Sequence, residues 1–170
     1  MKKMLWYVLG IVVLAGIAAF GWWTLSPLFI DRIVDEELVY EPSVEETTDA
    51  PAESTREKSI AATRAGTFVG ADPVHQGSGT ARIIETNDGA VLQLEDFEVT
   101  NGPDLYVLLA ENAAPQTHDE FGEYLELARL KGNIGNQRYA LPAGMDAGTY
   151  SSVVIYCKAF SVVFATATLR

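Results

Sequence analysis

The chain has 170 residues, 48% of them hydrophobic, a formal net charge of −11 and a single cysteine. That length holds one domain of ordinary size, and the sparse, scattered Lys and Arg exclude the basic surface that nucleic acid requires. One cysteine excludes an intramolecular disulfide, while the acidic excess suits a domain kept soluble and lifted off an anionic membrane surface.

From Met4 to Leu25 about 22 residues run without a charge. At ~1.5 Å per residue they make roughly 33 Å of helix, enough for a ~30 Å hydrocarbon core. Trp6 and Tyr7 near one end, and Trp22 and Trp23 near the other, stand where amphipathic rings settle at a bilayer interface. Lys2 and Lys3 precede the run and Asp31, Asp35, Glu36 and Glu37 follow it. Positive charge stays inside, so a signal-anchor is expected in the cytoplasmic membrane, with the N-terminus inside and the bulk of the chain outside. The alternative is a cleaved signal peptide, for which Gly16-Ile17-Ala18 before Ala19 is a passable site. Because the apolar run continues through Phe20, Trp22, Trp23 and Leu25, retention is the expectation.

Ser26-Pro27 ends the helix, since proline removes a donor and restricts the residue before it. Residues 1–27 are thus read as a transmembrane anchor in the lipid bilayer, 28–65 as an acidic flexible linker, and 66–170 as the folded domain. Leu28, Phe29, Ile30, Ile33 and Val34 interleave with Asp31, Arg32 and Asp35. They read equally as an amphipathic turn on the outer leaflet or as the start of the tether. From Glu37 to Arg64 large apolar residues are few, so the segment cannot bury enough surface to offset its ordering entropy.

After Gly66, short apolar stretches alternate with turn signals, the pattern of an all-β, antiparallel β-sandwich of about eight strands. The expected strands are Thr67 to Gly70, Gly79 to Glu85, Val91 to Leu94, Leu105 to Leu109, Tyr124 to Leu130, Arg138 to Leu141, Ser152 to Cys157 and Phe160 to Thr168. Asn87-Asp88-Gly89 makes a tight turn. Asp119 to Leu130 also carries a helix-like spacing, but Gly122 and Gly132 bracket it and the strand is preferred. Val153, Ile155 and Cys157 share one face and Val154, Tyr156 and Lys158 the other, so this strand should be central and covered on both sides. A two-residue loop, Lys158-Ala159, is expected to lead into Phe160, Val162 and Phe164.

Cys157 ends an apolar strand beside a turn. It is read either as a redox thiol or soft ligand near the rim, or as a small buried hydrophobe. His75, on the glycine-rich loop after Gly70, is a candidate to bind a cofactor or pair with Asp72, or only to cap the loop. Asp104 follows Asn101-Gly102-Pro103 and either holds that loop or contacts a ligand. His118 lies in a polar loop and is expected to be solvated, and Met145 is a weak thioether candidate. Lys131 to Gln137 is glycine-rich but lacks phosphate-loop spacing and reads as a wide turn. No nucleophile elbow, zinc-spaced histidine pair or dinucleotide fingerprint appears. A carrier or binding module therefore fits better than a stand-alone catalyst.

Several of these stretches, in order, resemble one family. Gly66-Thr67-Phe68, His75 to Ala81, Asn101 to Val107, Leu130 to Gln137 and Tyr150 to Cys157, closing with Phe160, Val162 and Phe164, are similar to the DM-thirteen domain. That module stands beside DOMON domains in Skeletor-type proteins, and the resemblance covers the globular part only. It implies a β-sandwich and an electron-transfer role, with Cys157 as a bare thiol or as holder of a prosthetic group such as haem. The cofactor-binding candidates are then Cys157, His75, Asp72 and Asp104. A short chain like this one is expected to lack the DOMON domain, so the resemblance implies a separate protein as redox or interaction partner. The rival expectation is a recognition module for a protein or glycan, with a structural cysteine.

Overall fold

The computed structural model describes residues 2–25, 30–39, 62–86 and 89–170. One helix, α1 (Lys2–Leu25), is followed by eight strands: β1 (Ala62–Gly70), β2 (Gly77–Thr86), β3 (Gly89–Val99), β4 (Leu105–Ala110), β5 (Tyr124–Arg129), β6 (Gln137–Ala140), β7 (Ser152–Cys157) and β8 (Val162–Thr168). Within α1 the side chains of residues 2, 3, 5, 8, 9 and 23–25 lie outside the description. Among the described residues no helix is long and apolar enough to cross a membrane. Most of the stretch expected as linker, residues 40–61, also lies outside the described residues, as does most of the Asn87-Asp88-Gly89 turn.

The eight strands form one antiparallel sheet in the order β5-β4-β7-β8-β1-β2-β3-β6, curled nearly into a barrel. A sandwich was expected, and β1 explains the difference. Its first part, Ala62 to Thr67, pairs with β2, and its last part, Phe68 to Gly70, pairs with β8. One strand thus belongs to both layers and makes the sheet continuous. β1 starts at Ala62, four residues before the boundary expected at 66.

Alternation decides the core. Val153, Ile155 and Cys157 of β7 point into a cluster with Leu105, Val107 and Leu109 of β4 and with Phe164 and Ala165 of β8. The opposite face, Val154 and Tyr156, packs with Leu108 and Phe121. The connection 111–123 covers that second face: Ser152 Oγ donates to Asn112 O at 2.6 Å, and Thr166 Oγ1 to Pro115 O at 3.1 Å. All six residues of β7 are buried as a result. The suspected helix over 119–130 is a 3₁₀ turn, His118–Glu120, followed by β5.

The hairpin β7–β8 differs from expectation. Cys157 pairs with Val162, so the loop holds four residues, 158–161, with Ser161 at φ 56°. Phe160 is therefore outside the strand and 66% exposed.

Residues 30–39 were assigned to the flexible linker. They instead form a strap along the domain. Val34 N donates to Ile134 O and Glu36 N to Asn136 O, each at 2.9 Å, around a parallel bridge of Ile33 with Ile134. Val34, Glu36 and Leu38 turn inward while Ile33, Asp35 and Glu37 face solvent, the period of two that a strand imposes.

Candidate functional site

The barrel has two ends. One is closed by the loops 71–76, 100–104, 130–136 and 158–161, and it carries every site residue singled out from the resemblance; we call it the upper end. The other carries the loop 141–151 and the two ends of the connection 111–123, which lies over the outer face of β7. Met145 belongs to the latter and packs against the core there, so it is far along the chain's topology from Cys157.

Cys157 is fully buried at the upper end of β7. Its surroundings are aliphatic and aromatic, and its direct cross-strand partner is Leu105. Side chains facing each other this way sit about 5 Å apart at Cβ. Leu105 in turn lines a cleft of about 530 Å³ with Ile30, Asn101, Gly102, Arg129 and Gly132. Cys157 is thus the cross-strand neighbour of a residue that lines an opening large enough for a small organic ligand. A haem ligand needs one side of its sulfur open to iron. Cys157 has no open side, so the packed domain does not fit a haem on this thiol.

His75 and Asp72 are brought together. Asp72 Oδ2 lies 2.7 Å from His75 Nδ1, and Asp72 Oδ1 accepts from the backbone N–H of Val74 and of His75 at 2.7 and 2.8 Å. These bonds, the His75 side chain's foremost, hold the Asp72 carboxyl down at about 2. The His75 ring packs on Phe164 with centroids 4.4 Å apart. At Gly102 a Cβ would meet Leu105 Cδ2 at 2.8 Å and Phe164 Cζ at 3.0 Å, so Gly102 is the space in which those two side chains converge. The contact path from His75 to Cys157 thus runs through Phe164 and Leu105. The histidine and the thiol share one end of the barrel without touching.

Asp104 holds a loop: its carbonyl accepts from Lys158 N at 3.0 Å, and its carboxylate lies 3.5 Å from Arg129 Nη2. Lys158 in turn reaches Glu126 Oε2 at 2.5 Å, and that bond raises the ammonium's pKa. His118, expected in solvent, is half-exposed and packs against Phe121, Tyr124 and Tyr156, with ring centroids 5.1 to 5.6 Å away. Among the described residues no group of three or more His, Cys, Asp or Glu is placed to hold a metal ion.

The strap was the feature that sequence reasoning missed. Asn133 and Asn101 donate to Asp31 Oδ1 at 2.9 and 2.8 Å, Arg32 N donates to Asn133 Oδ1 at 2.6 Å, and Asn136 donates to Asp35 Oδ1 at 2.8 Å. Lys131 Nζ lies 2.8 Å from Glu36 Oε1, and Arg138 N donates to Glu36 Oε2 at 2.7 Å. Burial alone would raise the Glu36 carboxyl, but these two partners hold it below its ordinary value. Gly132 and Gly135 admit the strap. A Cβ at Gly132 would strike Arg32 O and one at Gly135 would strike Val34 O, and Gly135 also has φ +101°. The glycine-rich stretch Lys131 to Gln137 is thus a receptor for residues 30–39, not merely a turn. The available signal was the alternation Val34, Glu36, Leu38 opposite that stretch.

Neither the curated proteins nor the solved structures returned a match to this chain. One family does match, over residues 67–169, and its description is Electron transfer DM13. The matched span runs from β1 through β8 and contains Cys157, His75, Asp72 and Asp104. The chain belongs to the electron transfer DM13 family.

Proposed function

We propose that this protein is a membrane-tethered, extracytoplasmic redox module whose electron-exchanging group is the thiol of Cys157, guarded beneath Leu105. Family membership supports a redox-related role in general. The observation that carries the finer reading is the register that sets Cys157 opposite Leu105, a residue lining the cleft at the upper end. Tethering is supported by the charge-free run from Met4 to Leu25, with Lys2 and Lys3 before it and Asp31 after it. On this reading a small disulfide carrier enters the cleft once Leu105 moves aside: the Cys157 sulfur bonds to one carrier sulfur as a mixed disulfide, the carrier's S–S bond breaks, and its other sulfur leaves as a thiol with the proton. His75 and Asp72 shape the surface next to the entrance.

A second reading has its own observation. The complete burial of Cys157 in an apolar cluster is what a structural cysteine shows, and the domain would then be a recognition module. Titration of the full-length chain in nanodiscs against glutathione redox buffers separates the two, the oxidised form being the mixed disulfide of Cys157 with one glutathione. A reversible midpoint in the wild type that is lost in Cys157→Ala supports the redox module. A chain with no such midpoint, and with equal behaviour of wild type and variant, leaves the recognition module.

A further inference from the structure

We propose that the upper end of the barrel sits on the outer surface of the bilayer, with Ile30, Val74 and Phe160 in the lipid headgroup region. This rests on the membrane-tethered reading above and adds the orientation and contact surface of the domain.

Four residues, 26–29, separate the end of α1 at Leu25 from Ile30. Five residue steps of about 3.5 Å reach at most roughly 18 Å. Ile30 lines the upper cleft, and from Asp31 onward the strap is bonded to Asn101 and Asn133 of the same end. The strap therefore cancels the spacing that the acidic segment was expected to provide, because residues 40–61 come after the docked residues. The upper end cannot stand off from the helix terminus by more than that short reach.

The surface of that end fits such a place. Outside α1, among the described residues, the exposed large hydrophobic ones are Ile30, Ile33, Val69, Val74, Tyr124 and Phe160. All except Tyr124 lie on the upper loops, on the strap beside them or at the upper end of β1. Val74 is 71% and Phe160 66% exposed at the tips of two separate loops. Such apolar tips gain by entering an interface. At the upper end Arg129, Lys131 and Lys158 are paired with Asp104, Glu36 and Glu126.

The test uses the full-length chain in vesicles of phosphatidylcholine and phosphatidylglycerol. An environment-sensitive dye is placed at Val74→Cys, Phe160→Cys or, on the opposite end, Ala143→Cys, in a Cys157→Ala background. Vesicles containing brominated lipid should quench the dyes at 74 and 160 at least threefold more than the dye at 143. Equal, weak quenching at all three sites, with the chain still sedimenting with vesicles, overturns the seating and leaves the tether standing. A chain that does not sediment with vesicles overturns both. If the Cys157→Ala background does not fold, the same labels are placed with the buried Cys157 kept, and one dye per chain shows that it is untouched.

Discussion

Replacing Leu105 with alanine should uncover Cys157 to solvent-borne reagents. Leu105 is 6% exposed and faces Cys157 across the β4–β7 pair, with the upper cleft on its other side. Truncating a buried leucine costs about 2–5 kcal/mol. A loss near 3 kcal/mol alone speeds any labelling that depends on global unfolding by roughly a hundredfold. A control is therefore needed that loses similar stability elsewhere. Leu109, two positions along the same inward face, is fully buried opposite Val153 and lines none of the described clefts. Both variants should melt at similarly reduced temperatures. The Leu105→Ala chain should then react with a thiol reagent at least tenfold faster than the Leu109→Ala chain, under native conditions and after scaling for measured stability. Mass spectrometry of the quenched adduct gives the rates. Equal scaled rates would mean that Leu105 is not the barrier, and the idea of a thiol guarded by one side chain would be abandoned.

Gly135→Ala should release the strap, since its Cβ would collide with Val34 O and φ +101° disfavours any side chain; a cost of about 1–3 kcal/mol and new proteolytic cleavage within residues 30–39 are expected. Acid should loosen the strap from the same side. Glu36 is held below its ordinary 4.5, so its contribution is complete above that value and is lost as pH falls through the lowered folded value. Because the pair is partly exposed, the effect stays within about 1 kcal/mol, and amide exchange at Val34 and Glu36 reads it. Tyr139→Phe should destabilise the fold by about 1–3 kcal/mol: the hydroxyl donates to buried Gln137 Oε1 at 2.7 Å and accepts from Lys131 N at 3.1 Å. Chemical denaturation measures that loss, and a change below a few tenths of a kcal/mol would count against the network.

Most of the strand content was legible because alternation is a local property. Val153 to Cys157 and Leu105 to Leu109 announce their two faces residue by residue, and Gly122, Gly132 and Asn101-Gly102-Pro103 punctuate them. The loop after Cys157 was misjudged at its length, because turn size depends on the register of β7 with β8 and not on the residues within the turn. The pairing of Asp72 with His75 was readable from three-residue spacing on a loop; the packing of His75 on Phe164 was not, since it joins residues from β8 and the β1–β2 loop.

The sequence by itself therefore determined the all-β character of the domain, the order of its strands along the chain, the charge-free N-terminal run and the lone thiol. Tertiary structure alone decided three things. It closed two layers into one sheet, through the sharing of β1. It placed Cys157 opposite Leu105, because cross-strand register chooses each residue's neighbour. It turned residues 30–39 from tether into strap, because hydrogen-bond partners about a hundred residues away in the chain, Asn133 and Asn136, satisfy a backbone whose composition alone promises no structure.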